Sequence, residues 1–180
     1  YSKMLSVCDD AMQILEKLNL DKGVAYADAA SCKAVAMSQL GFHQSSLELH
    51  AKALNIYSKN IGESHSRYAR ALYHQGISLG LACEIDLMIE SEKKAAEIYS
   101  KSIGENSPEY AAILNEIGVA YSMLNDTVSE FRYYMKSLEI NKKIIGEGSY
   151  QTARQYYNIA AAYSRLGKWE MALEYIRKAN

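Results

Sequence analysis

The chain has 180 residues, of which 49% are hydrophobic, and its 20 basic and 21 acidic residues leave a net charge of −1. This balance argues against nucleic acid as the main ligand, and a chain of this length and apolar content can bury a sizeable core. One proline and ten glycines are too few for a loop-rich or disordered protein, so the composition favours helices joined by short turns.

Neither a targeting peptide nor a membrane span is predicted, because no basic segment followed by an apolar run opens the sequence and no long apolar stretch occurs. The three cysteines, Cys8, Cys32 and Cys83, are an odd number without close pairing. Free thiols in a reducing compartment fit this pattern better than a disulfide framework does. We therefore expect a cytoplasmic protein with no membrane partner.

Apolar residues at helical spacing predict an amphipathic helix from Tyr1 to about Leu20. The turn that follows ends at Gly23, which we interpret as the stop of this helix. An alanine-rich helix is predicted from Val24 to about Leu40, and an antiparallel helix from Phe42 to about Ile61. The same helix–turn–helix pattern is predicted for residues 66–104, 108–146 and 150–180.

The segment that ends each helix pair recurs with a period of 42 residues. Three good copies begin at Ile56, Ile98 and Ile140, each with Ile-Gly-Glu five residues on, and a degenerate copy begins at Ile14. Repetition at this period indicates a repeat architecture whose units stack on one another. Because glycine adopts positive φ at little cost, we expect the glycine of each copy to end a helix.

Small residues recur at the same period where two helices must approach closely. They are Ala34, Gly76, Gly118 and Ala160 in the first helices, and Ala11, Ala53, Ala95, Ser137 and Ala179 in the second. One helix pair cannot cover its own apolar face, so neighbouring pairs must stack into a solenoid.

The last repeat carries a set of residues that resembles the tetratricopeptide repeat pattern: Tyr156, Ile159-Ala160, Tyr163, Leu166-Gly167, Trp169, Ala172, Ile176 and Ala179. The period of 42 and the Ile-Gly-Glu connector are most similar to the long repeats of kinesin light chain. The resemblance implies an all-α fold, a right-handed α-solenoid of antiparallel helix pairs. Met88 and Glu130 depart from the pattern, since the family has a small residue at each of these positions.

We interpret residues 1–180 as a single array. Residues 1–22 align with the second helix of a truncated repeat, full repeats cover 24–62, 66–104 and 108–146, and residues 150–180 form an incomplete last repeat. Because neither end shows the polar outer face of a capping repeat, we expect a fragment of a larger protein. Terminal helices without a partner also raise the hypothesis of self-association.

In tetratricopeptide arrays the first helices line a concave groove, and counting from the repeat anchors gives the inward positions. These candidate partner-binding residues are Arg70, Tyr73, His74, Ile77, Asn115, Glu116, Val119, Arg154, Tyr157, Asn158 and Arg165, with Asp28 at the equivalent position of the first repeat. Arginines suit carboxylates, asparagines suit peptide backbone, and the tyrosines and Ile77 suit apolar side chains. Kinesin light chain-like arrays bind short acidic segments with an aromatic anchor, so the resemblance implies such a peptide here.

No catalytic or metal motif is present in the sequence. The four histidines, His43, His50, His65 and His74, have no spacing that would place metal ligands on one face. Phosphate-binding loops and nucleophile motifs are also absent, so we predict no enzyme activity and no cofactor. Trp169 is predicted to pack in the last turn, and Tyr26, Tyr68 and Tyr110 are predicted to be structural.

Three functions remain open at this point. The first is an adaptor or scaffold that binds a partner's linear segment in the groove. A regulatory receptor for a small peptide, as in bacterial proteins with similar repeats, is the second. The third is an architectural module that associates with itself through its ends.

Overall fold

The computed structural model describes all 180 residues, which form nine α-helices and no strand. The helices are α1 (Ser2–Lys17), α2 (Val24–Gln39), α3 (His43–Ile61), α4 (Ser66–Leu81), α5 (Ile85–Ser102), α6 (Pro108–Met123), α7 (Thr127–Ile145), α8 (Tyr150–Arg165) and α9 (Trp169–Ala179). The predicted all-α class of paired helices is confirmed. None of the nine helices combines the length and the apolar character needed to cross a membrane.

The chain divides into two compact units, unit 1 (Tyr1–Ile98) and unit 2 (Tyr99–Asn180). Helices that follow one another in sequence pack together: α1 to α4 in unit 1, and α6 to α9 in unit 2. We call α2, α4, α6 and α8 the first helices of the repeats, and α1, α3, α5, α7 and α9 the second helices.

Glycines in the first helices make room for large residues of the second helices. A Cβ atom added at Gly118 would lie 2.5 Å from the ring of Tyr134, and one added at Gly76 would lie 2.6 Å from Cγ of Glu92. Met88, which departs from the family pattern, packs against Gly80, where an added Cβ would lie 2.7 Å from its sulfur. The predicted close approach of the helices is therefore confirmed, and glycine allows a large residue at position 88.

The turns follow the same period. The connector glycines Gly62, Gly104 and Gly146 have φ of 81°, 90° and 86°, as predicted. The turns inside the helix pairs have a second set of positive φ angles, 87° at Gly41, 62° at Cys83, 58° at Asn125 and 69° at Gly167. These four positions are again one period apart, so the repeat imposes a left-handed conformation even where the residue is not glycine.

The predicted end of the first helix is wrong. Helix α1 ends at Lys17, and Asn19, with φ of 55°, makes the turn. Gly23 has φ of −91° and is the N-cap of α2. Asparagine tolerates the left-handed region better than most residues, so this turn does not need the glycine.

In both units, a lysine of a second helix pairs with the glutamate of the Ile-Gly-Glu connector. In unit 1, Lys94 Nζ lies 2.9 Å from Glu63 Oε2 and 5.3 Å from the ring centre of Tyr68. In unit 2, Lys136 Nζ lies 3.1 Å from Glu105 Oε2 and 5.2 Å from the ring centre of Tyr110. The glutamate of Ile-Gly-Glu therefore pairs with a lysine 31 residues later. Tyr26, Tyr68 and Tyr110 are buried, which confirms their structural role.

Trp169 does not pack as predicted, because 67% of its surface is exposed. It is the first residue of α9, and the only buried residue of that helix is Ala172. Trp169 comes before the turn of α9 that packs on α8, so its side chain is not covered. The tryptophan therefore lies on the surface, next to Lys168 and Glu170.

Candidate functional site

In unit 1, the candidate face of the first helices centres on Asp28. Its Oδ2 accepts a hydrogen bond from Arg67 Nη1 at 3.1 Å, and its Oδ1 accepts one from Arg70 Nη2 at 3.2 Å. The hydroxyl of Tyr57, on α3, donates to the same Oδ1 at 2.7 Å. One carboxylate of α2 therefore holds two arginines of α4 and joins the first helices of two successive repeats.

Tyr57 serves this cluster as a neutral donor. Burial, followed by the hydrogen bond to Asp28, raises the pKa of its hydroxyl above the usual value. The hydroxyl therefore keeps its proton throughout the physiological range, and Asp28 remains tied to the core of unit 1.

His74 lies one turn after Arg70 on α4. Burial, followed by the nearby positive charge of Arg70, lowers the pKa of its imidazole. Its ring centre is 5.4 Å from that of Tyr73, and its Nδ1 is buried without a hydrogen-bond partner. Ile77 is partly exposed on the next turn. The predicted residues of α4 thus form a continuous strip with one charged end.

In unit 2, an ion pair also joins two successive first helices, α6 and α8. Arg154 Nη2 lies 3.7 Å from Glu116 Oε1, which also accepts a hydrogen bond from Asn115 Nδ2 at 3.1 Å. This distance is too long for a good hydrogen bond, so the contact is mainly electrostatic. The Nε of Arg154 is shielded from solvent and has no hydrogen-bond partner.

Asn115 lies inside unit 2, with 1% of its surface exposed, although counting from the anchors placed it on the groove face. Its Oδ1 accepts hydrogen bonds from Asn158 Nδ2 at 2.8 Å and from Gln155 Nε2 at 3.4 Å. Gln155 also donates to Ser137 Oγ at 2.6 Å. The amide of Asn115 therefore joins α6 to α8 and does not face solvent, because α8 covers it.

Arg165 pairs with Glu130, a carboxylate on α7 whose side chain is almost completely buried. This contact explains why a glutamate is tolerated where the family pattern has a small residue, since a buried charge needs a partner. Val119 is partly exposed on α6, and Tyr157 is 60% exposed on α8.

Sequence reasoning missed the contribution of Arg67 and the link from Asp28 to the arginines. A signal was available, because Asp28 and Arg70 occupy equivalent positions 42 residues apart and Arg67 lies one turn before Arg70. No group of three or more histidine, cysteine, aspartate or glutamate side chains is placed to hold a metal ion.

Comparison with known proteins gives the repeat type. Residues 131–179 match the family model described as tetratricopeptide repeat. No curated protein matches the sequence.

Several solved structures share the fold of the chain. The crystal structure of BtubC (BKLC) from P. vanneervenii matches with a TM-score of 0.84 at 16% identity, over 99% of this chain and 71% of that one. A Podosopora anserina structure of nearly identical kinesin light chain TPR-like repeats matches with a TM-score of 0.77 at 15% identity, over 97% and 83%. The apo form of RapI matches with a TM-score of 0.76 at 19% identity, over 99% and 48%. Together with the family match, these structures confirm the predicted resemblance to tetratricopeptide repeats.

Proposed function

We propose that this tetratricopeptide-repeat protein is an interaction scaffold whose first helices bind a linear peptide segment of a partner along their exposed face. The observation that carries this proposal is the mixture of side chains on that face. Guanidinium, aromatic and aliphatic groups lie on the same strips of the helices. Arginine and aromatic side chains dominate the binding energy at protein interfaces, and aliphatic groups add apolar contact area.

In unit 2, the proposed binding face comprises Glu116, Val119, Arg154, Tyr157, Asn158 and Arg165. Tyr157 is the strongest anchor candidate, because its ring is largely exposed and lies one turn from Arg154. A tyrosine buries a large rigid surface on binding while its hydroxyl keeps a hydrogen-bond partner. Arg154 places a guanidinium beside this ring, and its side chain is 38% exposed.

In unit 1, the proposed face comprises Arg70, Tyr73, His74 and Ile77. Arg70 is half exposed beside its pairing with Asp28, and Ile77 supplies an apolar surface two turns further on. A segment with an acidic residue and an aromatic or aliphatic residue fits this order of charge and apolar surface. The tetratricopeptide match of residues 131–179 supports the same class of function, a protein-interaction scaffold.

A peptide array tests the proposal directly. The 180-residue chain is screened against segments that combine acidic and aromatic residues, and the dissociation constants of the hits are measured by fluorescence anisotropy. Tyr157→Ala should weaken binding about tenfold, since it removes an aromatic contact worth about 1.4 kcal/mol.

Tyr1→Ala is the matched control, because Tyr1 is also an exposed tyrosine but lies before α1. It should bind like the unaltered chain. Failure of every peptide in the array to bind, or equal loss in both variants, would contradict the proposal.

A further inference from the structure

The arginines on the face of the first helices differ in how their charge is balanced. Within unit 2, Arg154 pairs with Glu116 and Arg165 pairs with Glu130, one acid for each base. Within unit 1, Arg67 and Arg70 share the single carboxylate of Asp28. The cluster in unit 1 therefore carries an uncompensated positive charge, and the two pairs in unit 2 do not.

The two arginines in unit 1 are also open to solvent. Their side chains are 48% and 54% exposed, for Arg67 and Arg70 respectively. They lie three residues apart, which places them next to each other on one face of α4. Each guanidinium carries five N–H donors in a planar fork. The hydrogen bond of each arginine to Asp28 leaves further donors for an oxygen ligand.

We propose that Arg67 and Arg70 form an anion-binding site in unit 1 that takes a carboxylate or phosphate group of the bound segment. This inference rests on the proposed function, since it assigns the charged part of the peptide to one unit. Arg154 and Arg165, by contrast, each have their charge balanced by an acid of their own. Asp28 positions the two guanidiniums and at the same time competes with the incoming anion for their donors.

His74 provides a local reporter for this site. Its ring lies close enough to Arg70 for the guanidinium charge to disfavour a second proton. An anion bound at Arg70 would offset that charge and raise the pKa of His74. The ionisable groups of the surrounding helices are Asp28 on α2, His50 and Tyr57 on α3, Arg67, Arg70 and Tyr73 on α4, and Glu92 on α5.

Titration with inorganic phosphate and, in a parallel series, with acetate tests the site without any peptide. Two-dimensional NMR should show the His74 ring signals move on titration and the pKa of His74 rise. Arg67→Gln and Arg70→Gln should each weaken the binding of the anion about tenfold. Arg132→Gln, the matched control, replaces an exposed arginine of α7 outside the proposed face and should leave it unchanged. Tighter binding of phosphate would identify a phosphorylated residue as the ligand group, and tighter binding of acetate an acidic side chain.

Asp28→Asn is the most discriminating variant, because we expect it to increase the affinity for the anion. The amide is nearly the same size and still accepts from Tyr57, but it no longer neutralises either arginine. Anion affinity should rise about threefold or more, and should fall with added salt. Unchanged or weaker anion binding by Asp28→Asn would contradict the proposed site. So would His74 signals that do not change when either anion is added. Either result leaves peptide binding by the face itself untouched, since the peptide array measures that separately.

Discussion

The two units place different chemistry at the same structural position. At the position where Glu92 faces Gly76 and Tyr134 faces Gly118, the other two repeats have His50 in unit 1 and Ile176 in unit 2. These four residues of the second helices are one period apart, and the first three in sequence are buried. The comparison shows that the repeat fixes where a large side chain goes but leaves its chemistry free.

In unit 1 this position belongs to a buried polar cluster. The Nε2 of His50 lies 3.1 Å from Ser78 Oγ, and Ser46 Oγ donates to the backbone oxygen of Ala34 at 2.7 Å. Ser46 Oγ also lies 3.3 Å from Ser78 Oγ, which closes the cluster. Polar groups buried in this way depend on keeping every partner in place.

In unit 2 the residues packed around Tyr134 are apolar and aromatic, apart from the buried Glu130 that pairs with Arg165. Tyr134, Leu138, Tyr156 and Ile159 form the buried centre. Partly buried aromatic rings surround it, with ring centres 4.6 Å apart for Phe131 and Tyr163 and 5.5 Å apart for Tyr163 and Tyr175. Unit 2 contains no histidine, so the two units should respond differently to mild acid.

The largest expected difference is therefore the acid sensitivity of unit 1 between pH ~6.5 and pH ~4. Burial, followed by the neighbouring His74, lowers the pKa of His50 from 6.5 to about 4. Between these values the unfolded chain binds a proton that the folded unit does not, so the free energy of unfolding falls as pH drops. The full loss is about 3 kcal/mol at and below pH ~4. Hydrogen exchange of α3 and α8 amides against pH would measure it.

His50→Gln should remove the part of this pH dependence that is due to His50, because an amide can still reach Ser78 but does not titrate. The lowered pKa of His74 leaves a remainder of the same sign. The control is His65→Asn, which replaces an exposed histidine and keeps a side chain that caps α4. If α8 lost protection from exchange at the same pH as α3, the contrast between the units would be wrong.

A smaller effect is expected from filling the space at the helical glycines. Gly118→Ala should destabilise unit 2 by about 2 kcal/mol, because the new methyl meets the rigid ring of Tyr134. Gly76→Ala should cost less, since the flexible chain of Glu92 can move and alanine favours the helix by about 1 kcal/mol. Urea denaturation of both variants measures the difference.

The double variant Gly118→Ala/Tyr134→Ile should recover much of the loss, because the last repeat carries alanine and isoleucine at these two positions. Equal destabilisation by the two single variants would show that ring and carboxylate side chains are equally rigid neighbours.

The turns inside the helix pairs predict a gain in stability in unit 1. Cys83 has φ of 62°, a conformation that costs a residue with a side chain about 1 kcal/mol relative to glycine. Cys83→Gly should raise the free energy of unfolding by about that amount. Asn125→Gly, its equivalent in unit 2, should gain less because asparagine tolerates this region. Cys83→Ala is the control, and a gain as large as that of glycine would mean that the thiol, not the backbone, is responsible.

The smallest effect should be the same in both units. Lys94→Met and Lys136→Met each remove a half-exposed ion pair to a connector glutamate. Each should cost about 0.5 kcal/mol, and less at high salt. Thermal unfolding at low and high salt would measure this, with the exposed Lys59→Met as control. A loss of stability in one unit only would show that the lysine–glutamate pair does not stabilise every repeat in the same way.

Much of the fold could be predicted because the period of 42 residues carries it. The connector glycines, the close approach at Gly118 and the burial of Tyr110 all follow from counting. The face of the first helices was less predictable, because the exposure of a side chain depends on its neighbour. Asn115 and Tyr157 occupy equivalent positions in successive first helices. Helix α8 covers Asn115, whereas Tyr157, on α8 itself, is exposed. Ion pairs such as Arg165 with Glu130 depend on side-chain reach, which spacing alone does not give.

The link from Asp28 to Arg70 has a consequence for how the protein is made. It spans 42 residues, and the bond from Asn115 to Asn158 spans 43. A helix pair leaving the ribosome therefore needs only about one further repeat before these partners can meet. Contacts this close in sequence favour rapid folding. Folding during synthesis can therefore proceed repeat by repeat. Each new first helix bonds to the previous first helix before the next one has been synthesised.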